Sequence, residues 1–207
     1  MHDPSLQAVR RAAAFESTVL ENGLTVRVHT MPGFTGVHAV YGTKFGSIDR
    51  AFALDGKRVD LPAGIAHFLE HKMFENEEGD AFTLYARTGA SANAYTSFDK
   101  TCYIFTASGN VAENLDILLG FVSRPYFTAA TVEKEQGIIG QEIKQYDDAP
   151  DWRLMFASTS ACTPRTRCGT TSRAVWRASR RSRLKFCMPA RTPFTARRTW
   201  CWPWRAM

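Results

Sequence analysis

The sequence contains no long apolar run, no acidic residue after Asp151 and only five cysteines. Its apolar runs stay far short of the roughly 18 residues that suggest a membrane-spanning helix. Its N-terminal stretch holds no apolar core long enough for a secretory signal. These absences favour a cytoplasmic protein that does not enter a membrane. With 207 residues, 44% of them hydrophobic, the chain can bury the core of one medium-sized domain.

Charge is divided between two unlike parts of the chain. The overall net charge is +6, yet acidic residues outnumber basic ones 20 to 13 in residues 1–151. Residues 152–207 hold the other 13 basic residues, twelve of them arginine, and no acid. Four of the five cysteines and four of the five tryptophans lie beyond residue 156. The basic character therefore belongs to the C-terminal segment and not to the chain as a whole.

An arginine-rich segment with aromatic residues is typical of an arm that binds nucleic acid or a membrane surface. Such arms usually also contain lysine, glycine and serine in solvated patterns, whereas Trp200, Trp202 and Trp204 cluster here around a cysteine. An excess of arginine without acids is the composition that a GC-rich gene gives when it is translated out of frame. The basic-tailed nucleic-acid-binding protein is therefore retained only as an alternative.

Back-translation supports the out-of-frame interpretation of this segment. The codons of Ala196–Met207, shifted by two bases, permit the strand-like sequence PKNMVLAVAGD. We predict a frameshift between about Phe156 and Thr166, so that residues 1–156 form an incomplete natural domain. Residues 157–207 are then not a natural domain, and we expect neither a nucleic-acid nor a membrane partner.

The pattern of apolar residues predicts strands and helices in alternation up to Asp151, and neither period afterwards. An Asn22-Gly23 turn predicts a hairpin, and a helix begins at Pro62. Strands are expected within residues 18–33, 36–49 and 91–108, and helices over 62–74, 79–89, 110–124 and 128–148, the last capped by Thr128 or Thr131. This order predicts an α+β sandwich of a sheet against helices.

The third predicted helix is amphipathic. Its buried face is expected to consist of Val111, Leu115, Leu118, Leu119 and Val122. The single cysteine of the acidic part, Cys102, lies in an alternating strand and is predicted to be a small buried hydrophobic residue.

The helix at 62–74 carries the sequence GIAHFLEHKMFE, residues 64–75. His67 and His71 are four residues apart and therefore share a helix face, where both can bind one metal ion. Zinc accepts two imidazoles and a carboxylate and leaves a position for water, whose proton Glu70 could take. The order H-x-x-E-H is the inverse of H-E-x-x-H. A core helix that carries these residues by chance is the alternative.

A third metal ligand is expected on the last predicted helix. Glu135 and Glu142 are seven residues apart, which is two helical turns, so both share a face and either could reach the two histidines. Ile138 and Ile139 between them are expected to pack this helix against the site. A solvated face with two glutamates is the alternative.

Three segments together resemble successive signatures of the M16 family of zinc peptidases, which includes pitrilysin, insulin-degrading enzyme and the mitochondrial processing peptidase. They are GIAHFLEHKMFE, GASANAYTSFDKTCY and TVEKEQGIIGQEIKQYDDAPDWR. The resemblance runs from about Asn22 to Arg153 and is nearest to the bacterial YmfH-like branch. It implies the LuxS/MPP-like α+β sandwich, a mostly antiparallel sheet packed against helices. It also implies that residues 1–156 are a truncated N-terminal catalytic domain.

The resemblance also implies a role for each candidate residue. His67, His71 and Glu142 would bind one Zn²⁺ ion, and Glu70 would be the general base that activates a zinc-bound water to hydrolyse a peptide bond. Glu135 matches an accessory glutamate that supports a ligand from behind.

The segment SANAYT, residues 91–96, matches the family's edge strand, to which a substrate peptide adds as an extra strand. Asn93 and Ala94 are the substrate-binding residues that this implies. An ordinary alternating strand is the alternative. The expected partners are a peptide or small protein substrate and, because M16 proteins often pair, a possible M16 partner subunit.

The function predicted is therefore that of a zinc-dependent metalloendopeptidase, in a frameshifted chain. A non-catalytic M16 subunit or an inactive fragment is the second hypothesis. The complete set of His67, Glu70, His71 and Glu142 argues against a naturally inactive partner.

Overall fold

The computed structural model describes residues 15–54, 56–77 and 79–162. Its helices are α1 (Ile65–Met73), α2 (Ala81–Thr88), α3 (Val111–Ser123), α4 (Ala129–Asp148) and α5 (Pro150–Cys162). Its strands are β1 (Glu16–Val19), β2 (Thr25–Val28), β3 (Val37–Thr43), β4 (Ala51–Leu54), β5 (Lys57–Asp60), β6 (Glu75–Asn76), β7 (Gly79–Asp80), β8 (Ser91–Thr96) and β9 (Thr101–Ala107).

The chain divides into two compact units at Gly36. In the first unit β1 and β2 pair antiparallel, and the turn between them closes with Leu24 N–H donating to the side chain of Asn22 at 3.0 Å. Gly23 has φ +85°, a conformation that glycine adopts without strain. The predicted Asn-Gly hairpin is confirmed.

The second unit, from Val37 onward, contains a three-stranded sheet in the order β3-β9-β8. Both pairings are antiparallel. Strand β9 lies in the centre, and its burial is nearly continuous. Two short antiparallel pairs, β4 with β5 and β6 with β7, complete the strands of the described residues. Antiparallel sheets combined with five described helices confirm the α+β class.

Aromatic residues build the main core between the sheet and the helices. Phe74, Tyr85, Tyr103, Phe105 and Phe121 are all buried and contact one another. The rings of Phe74 and Phe121 stack with centroids 5.0 Å apart, and Tyr103 meets Phe121 edge to face. Aromatic side chains bury large apolar areas, so this cluster contributes strongly to the stability of the unit.

A second core cluster joins α1 to α4. Phe68 of α1 packs against Val132, Ile139 and Ile143 of α4. These three α4 residues recur at helical spacing and so share one face. Ile139 therefore packs as predicted, whereas the prediction for Ile138 is wrong: it is 44% exposed, because it lies one residue, about 100° around the helix, from that face.

The predicted buried face of α3 is wrong in part. Leu118 and Val122 are buried, but Leu115 and Leu119 are 38% and 43% exposed. Asn114 is fully buried instead. Its side-chain amide donates to the carbonyl of Asn110 at 2.9 Å and its Oδ1 accepts from the Thr88 hydroxyl at 2.6 Å. A buried amide with these partners rotates the helix away from the purely apolar face.

Side-chain caps mark the start of two of the predicted helices. Thr128 caps α4, since its hydroxyl accepts from Thr131 N–H at 3.2 Å within a reciprocal capping box. Asp80 caps α2 by accepting from Phe82 N–H at 2.9 Å. The remaining predicted helices and the β8–β9 pair also agree with the structure in type and approximate position. The predicted start at Pro62 is wrong, because α1 begins at Ile65, after Gly64 in the left-handed conformation. Cys102 is buried, as predicted.

Two strand pairs and one helix differ from the sequence prediction. The β4–β5 and β6–β7 pairs were not predicted, and α5 continues to Cys162 although no regular pattern was expected after Asp151. A proline at the first helical position favours the start of α5. Residues 163–207, which make up most of the predicted out-of-frame segment, lie outside the described residues. In the described part of the chain, no helix has the length and apolar character to cross a membrane.

Candidate metal centre

Helix α1 presents the two histidines and the glutamate of the motif. Ala66, Phe68 and Lys72 on this helix are buried in the protein. His67 and His71 lie one turn apart and are partly exposed, with their ring centroids 4.6 Å apart. The buried residues hold α1 in place while the histidines point toward α4.

Glu142 of α4 meets both histidines. Its Oε2 atom lies 3.6 Å from His67 Nε2 and 3.5 Å from His71 Nε2, and the two Nε2 atoms are 3.2 Å apart. Among the described residues, these three form the group whose ligand atoms are close enough to hold one metal ion. The structure therefore brings together the ligands expected from the sequence, although 71 residues separate Glu142 from His71.

The donor set fits a zinc ion. Zn–N and Zn–O bonds of about 2.0–2.1 Å in tetrahedral geometry give ligand–ligand distances of about 3.3–3.4 Å. The three observed distances of 3.2, 3.5 and 3.6 Å are close to these values. Glu142 Oε2 is also buried without a hydrogen-bond donor, and an unpaired buried carboxylate oxygen is unfavourable unless a cation faces it.

Glu135 approaches His71 from the opposite side of the ring. His71 Nδ1 lies 2.8 Å from Glu135 Oε1, and Glu135 is buried. A carboxylate can only accept, so Nδ1 donates and Nε2 keeps its lone pair for a metal. The same hydrogen bond raises the pKa of His71, against the opposing effect of burial. Glu135 therefore contacts a candidate ligand and is not itself within the candidate ligand group.

The pKa of His67 shifts in the opposite direction. Burial lowers the pKa of its imidazole, and the negative charge of Glu142 only partly offsets this effect. A lowered pKa keeps the ring neutral, which is the form that binds a metal.

Tyr146 is a residue of the site that the sequence analysis missed. Its hydroxyl donates to Glu142 Oε1 at 3.0 Å, which directs the other oxygen toward the histidines. Burial raises the pKa of Tyr146, and the charge of Glu142 adds to the rise. The sequence spacing could have predicted this contact, because positions 142 and 146 are one helical turn apart on the same face.

Thr96 is a second residue of the site that the sequence did not predict. Its hydroxyl donates to Glu70 Oε2 at 2.5 Å, and Glu70 is only 8% exposed. Thr96 belongs to β8 and Glu70 to α1, so no local spacing relates them.

Strand β8, with the predicted substrate residues, forms one edge of the three-stranded sheet. Ser97 N–H donates to Lys100 O at 2.8 Å, so alternation along the antiparallel pair turns the backbone groups of Thr96, Ala94 and Ala92 to the outer edge. The N–H of Ala94 accordingly donates to Asn93 Oδ1 at 2.8 Å instead of to β9. Asn93 is exposed and Ala94 half-buried. Within the described residues this outer edge faces no other strand.

An α+β scaffold with two histidines and a glutamate arranged to hold a metal ion defines a candidate metalloprotein. The sequence profile of the family described as Insulinase (Peptidase family M16) matches residues 56–169, more than half of the chain. The chain belongs to this family.

Relatives and solved structures agree with this membership. The chain is 56% identical over 139 residues to the Bacillus subtilis protein named "Uncharacterized zinc protease YmfH". This alignment covers 66% of this chain and 32% of the relative. It is 33% identical to the Schizosaccharomyces pombe protein named "Probable mitochondrial-processing peptidase subunit beta", over 66% of this chain and 29% of the other.

An M16-like peptidase from Alicyclobacillus acidocaldarius superposes with a TM-score of 0.78 at 39% identity, over 83% of this chain and 41% of that one. Pitrilysin, at 18% identity and a TM-score of 0.63 over 78% of this chain and 18% of that one, shares the fold. The chain spans about a third of the length of the curated relatives it matches.

Proposed function

We propose that this chain carries the catalytic site of a zinc-dependent metalloendopeptidase. The observation that supports this most directly is the convergence of His67 Nε2, His71 Nε2 and Glu142 Oε2 on one point. These atoms would hold a single Zn²⁺ ion, which when bound supplies a water of lowered pKa and polarises the carbonyl oxygen of a substrate. The relative named a zinc protease adds support for the choice of metal.

Glu70 is the proposed general base. Its carboxylate precedes a ligand histidine by one residue on α1 and is largely shielded from solvent. It would take a proton from the attacking water and return it to the departing amine, which is the usual role of a carboxylate in such a site. Glu135 would hold the His71 imidazole through its Nδ1–H, and Tyr146 would hold the Glu142 carboxylate.

The proposed substrate is a peptide or small protein bound in extended form along β8. The outward backbone groups of Ala92, Ala94 and Thr96 offer donors and acceptors for one more strand. Asn93 Oδ1 accepts from Ala94 N–H in the peptide-free protein, so its side chain would release this donor when a peptide binds. Strand addition explains how the site could accept varied sequences, because backbone groups carry the contacts.

Three further assignments are proposals with separate grounds. The chain matches about a third of its relatives' length, and one relative is named as a subunit, which supports a partner subunit of the same family. A cytoplasmic location is proposed from the sequence alone. An inactive fragment is the second candidate, because the chain covers a limited part of each relative.

Zinc content and peptide cleavage of the 207-residue protein test the proposed function. We expect about one zinc per chain by elemental analysis after dialysis, and cleavage of an unstructured peptide that ceases when the metal is removed with a chelator. Glu70→Gln should retain zinc and lose at least about a hundredfold in kcat. Glu113→Gln, at a position on the first turn of α3, is the matched control and should leave both unchanged.

Retained zinc without any cleavage that depends on Glu70 would favour the inactive fragment. Absence of zinc from the purified and reconstituted protein would contradict the metal site itself.

A further inference from the structure

Glu70 has a fixed hydrogen-bond partner on the edge strand of the sheet. Thr96 Oγ1 lies 2.5 Å from Glu70 Oε2, a distance typical of a hydroxyl that donates to a carboxylate. Glu70 is 8% exposed and Thr96 is half-buried. Water therefore competes little for this hydrogen bond, and charge-assisted bonds of this kind are among the stronger ones in proteins.

The Thr96 hydroxyl has one proton and two possible acceptors, Glu70 Oε2 and the neighbouring hydroxyl of Thr101. Thr101 Oγ1 donates its single proton to the carbonyl of Phe45 at 2.8 Å. It lies 3.3 Å from Thr96 Oγ1 and can therefore accept from Thr96 but not donate to it. The shorter contact with a charged oxygen takes the Thr96 proton. Thr96 thus donates to Glu70, and Thr101 is held in place by the backbone.

The backbone around Thr96 is itself held. Thr96 is paired with Thr101 across β8 and β9. Beyond it, Ser47 N–H donates to Ser97 O and Ile48 N–H to Phe98 O, both at 3.0 Å. Gly46 permits this approach, because a Cβ atom there would lie 2.4 Å from Phe98 O. The hydroxyl of Thr96 is therefore a fixed group and not a mobile surface one.

We propose that Thr96 is a positioning residue that fixes the Glu70 carboxylate relative to the strand that receives the peptide. This inference rests on the proposed function. The side chain of Thr96 holds the base, while its backbone N–H and C=O belong to the outer edge of β8. One residue thus sets the register between the base and a peptide bound along that edge, and its effect should be on kcat rather than on KM.

Thr96→Val removes the hydroxyl and keeps the shape of the side chain, whereas Thr96→Ser keeps the hydroxyl. In the zinc-loaded 207-residue protein we expect Thr96→Val to lower kcat by about 10- to 100-fold, the range expected for loss of one bond to a charged group. KM should change by less than about twofold, because the contacts that bind the substrate in its ground state are unaffected. Zinc content should stay at the wild-type value, and Thr96→Ser should recover most of kcat.

Because Thr96 is proposed to act through Glu70, the effect of Thr96→Val on kcat should depend on the presence of Glu70. In a Glu70→Gln background, Thr96→Val should cause little additional loss, because the group that it positions is already absent. Should valine disturb folding, as judged by the thermal unfolding midpoint, Thr96→Ala removes the same hydroxyl with no added methyl group.

Crystal structures of the wild-type protein and Thr96→Val separate this inference from the proposed function. The Glu70 carboxylate should leave its position, or become disordered, in Thr96→Val and keep it in Thr96→Ser. A wild-type protein that binds zinc without cleaving peptides would contradict the proposed function and leave this comparison decisive for Thr96. An unmoved Glu70 carboxylate in Thr96→Val, or a Thr96→Ser variant as impaired as Thr96→Val, would overturn the inference.

Discussion

His71 is contacted by two carboxylates that act on different nitrogens of its ring. Glu135 accepts from Nδ1 at 2.8 Å, and Glu142 lies 3.5 Å from Nε2. The first contact selects the tautomer and orients the ring, and the second would complete the proposed ligand set. Because a metal needs a lone pair on a ring already turned toward it, the buried Glu135 should contribute to metal affinity without touching the ion.

Glu135→Gln should therefore weaken zinc binding by about 10- to 100-fold. An amide can still accept from Nδ1, but it lacks the charge that strengthens this hydrogen bond. Competition with a chromophoric chelator at pH 8 measures the affinity. Glu133→Gln, at an exposed position on the same helix, is the matched control and should bind zinc as the wild type does. Equal affinities of the two variants would contradict the supporting role of Glu135.

At this scale the sequence predicted the residues of one helix face better than contacts between elements. His67 and His71 follow from their spacing on α1, since positions i and i+4 meet by geometry alone. The separate roles of Glu135 and Glu142 required the family resemblance, because either could have reached the histidines from its helix face. The contact between Thr96 and Glu70 joins a strand to a helix and depends on the packing of the sheet, which no local pattern encodes.

Among the elements, α1 is tied to its neighbours by a buried lysine at its C-terminal end. Lys72 is fully buried and forms an ion pair with Glu75 at β6. Glu75 also lies 3.5 Å from Lys134 of α4, whose side chain is 67% exposed. The pair therefore connects the helix of the two histidines, the β6–β7 hairpin and the helix of Glu142. Substitution of Glu75 leaves a buried lysine behind, whereas substitution of Lys72 leaves a glutamate that still faces Lys134. The two substitutions should therefore change the free energy of unfolding by different amounts.

Glu75→Gln should destabilise the metal-free protein more than Lys72→Met does. The first leaves a buried ammonium without its counter-charge, a situation that costs about 3–5 kcal/mol. The second leaves Glu75 near Lys134 and replaces the lysine with an apolar chain of similar length, so we expect a clearly smaller loss. Urea denaturation monitored by circular dichroism measures both.

Asp60→Asn, in the exposed pair with Arg58, is the control for a surface ion pair and should change the unfolding free energy little. An equal or larger loss for Lys72→Met than for Glu75→Gln would show that packing of the lysine stem, and not its charge, is what matters at this position.

The elements missed by the sequence analysis are short, and some carried a recognisable signal. The sequence between β4 and β5 is Asp55-Gly56, a dipeptide that predicts a hairpin connection. Helix α5 begins at Pro150, a favoured first position. The two-residue strands β6 and β7 had no such signal, because a pair this short has no periodicity and depends on the tertiary packing around Glu75.

At the scale of the whole molecule, composition and exposure change over the same region. Acidic residues end at Asp151, and α5, which contains it, holds large apolar side chains that are partly exposed, although the ring of Trp152 also contacts Tyr146 and Phe156. Trp152, Leu154 and Met155 are 41%, 68% and 41% exposed. An apolar helix face of this kind is normally covered in a folded domain. The division into a natural domain over residues 1–156 and an unnatural segment over 157–207 stays a prediction that the gene can test.

Sequencing of the gene through the codons for Phe156 to Thr166 should reveal a gain or loss of bases that shifts the reading frame. In the restored frame, the codons beyond this interval should encode acidic residues and a regular apolar period, as residues 16–151 do. The corrected protein should then bind less of a dye that reports exposed apolar surface, because in-frame residues would cover Leu154 and its neighbours. The matched comparison is the present chain with Leu154→Gln, which should lower dye binding without any change of frame.

An uninterrupted base count in independent reads would refute the frameshift. The arginine-rich segment would then be a genuine part of the protein, and its binding to DNA over a range of salt concentrations would become the next measurement.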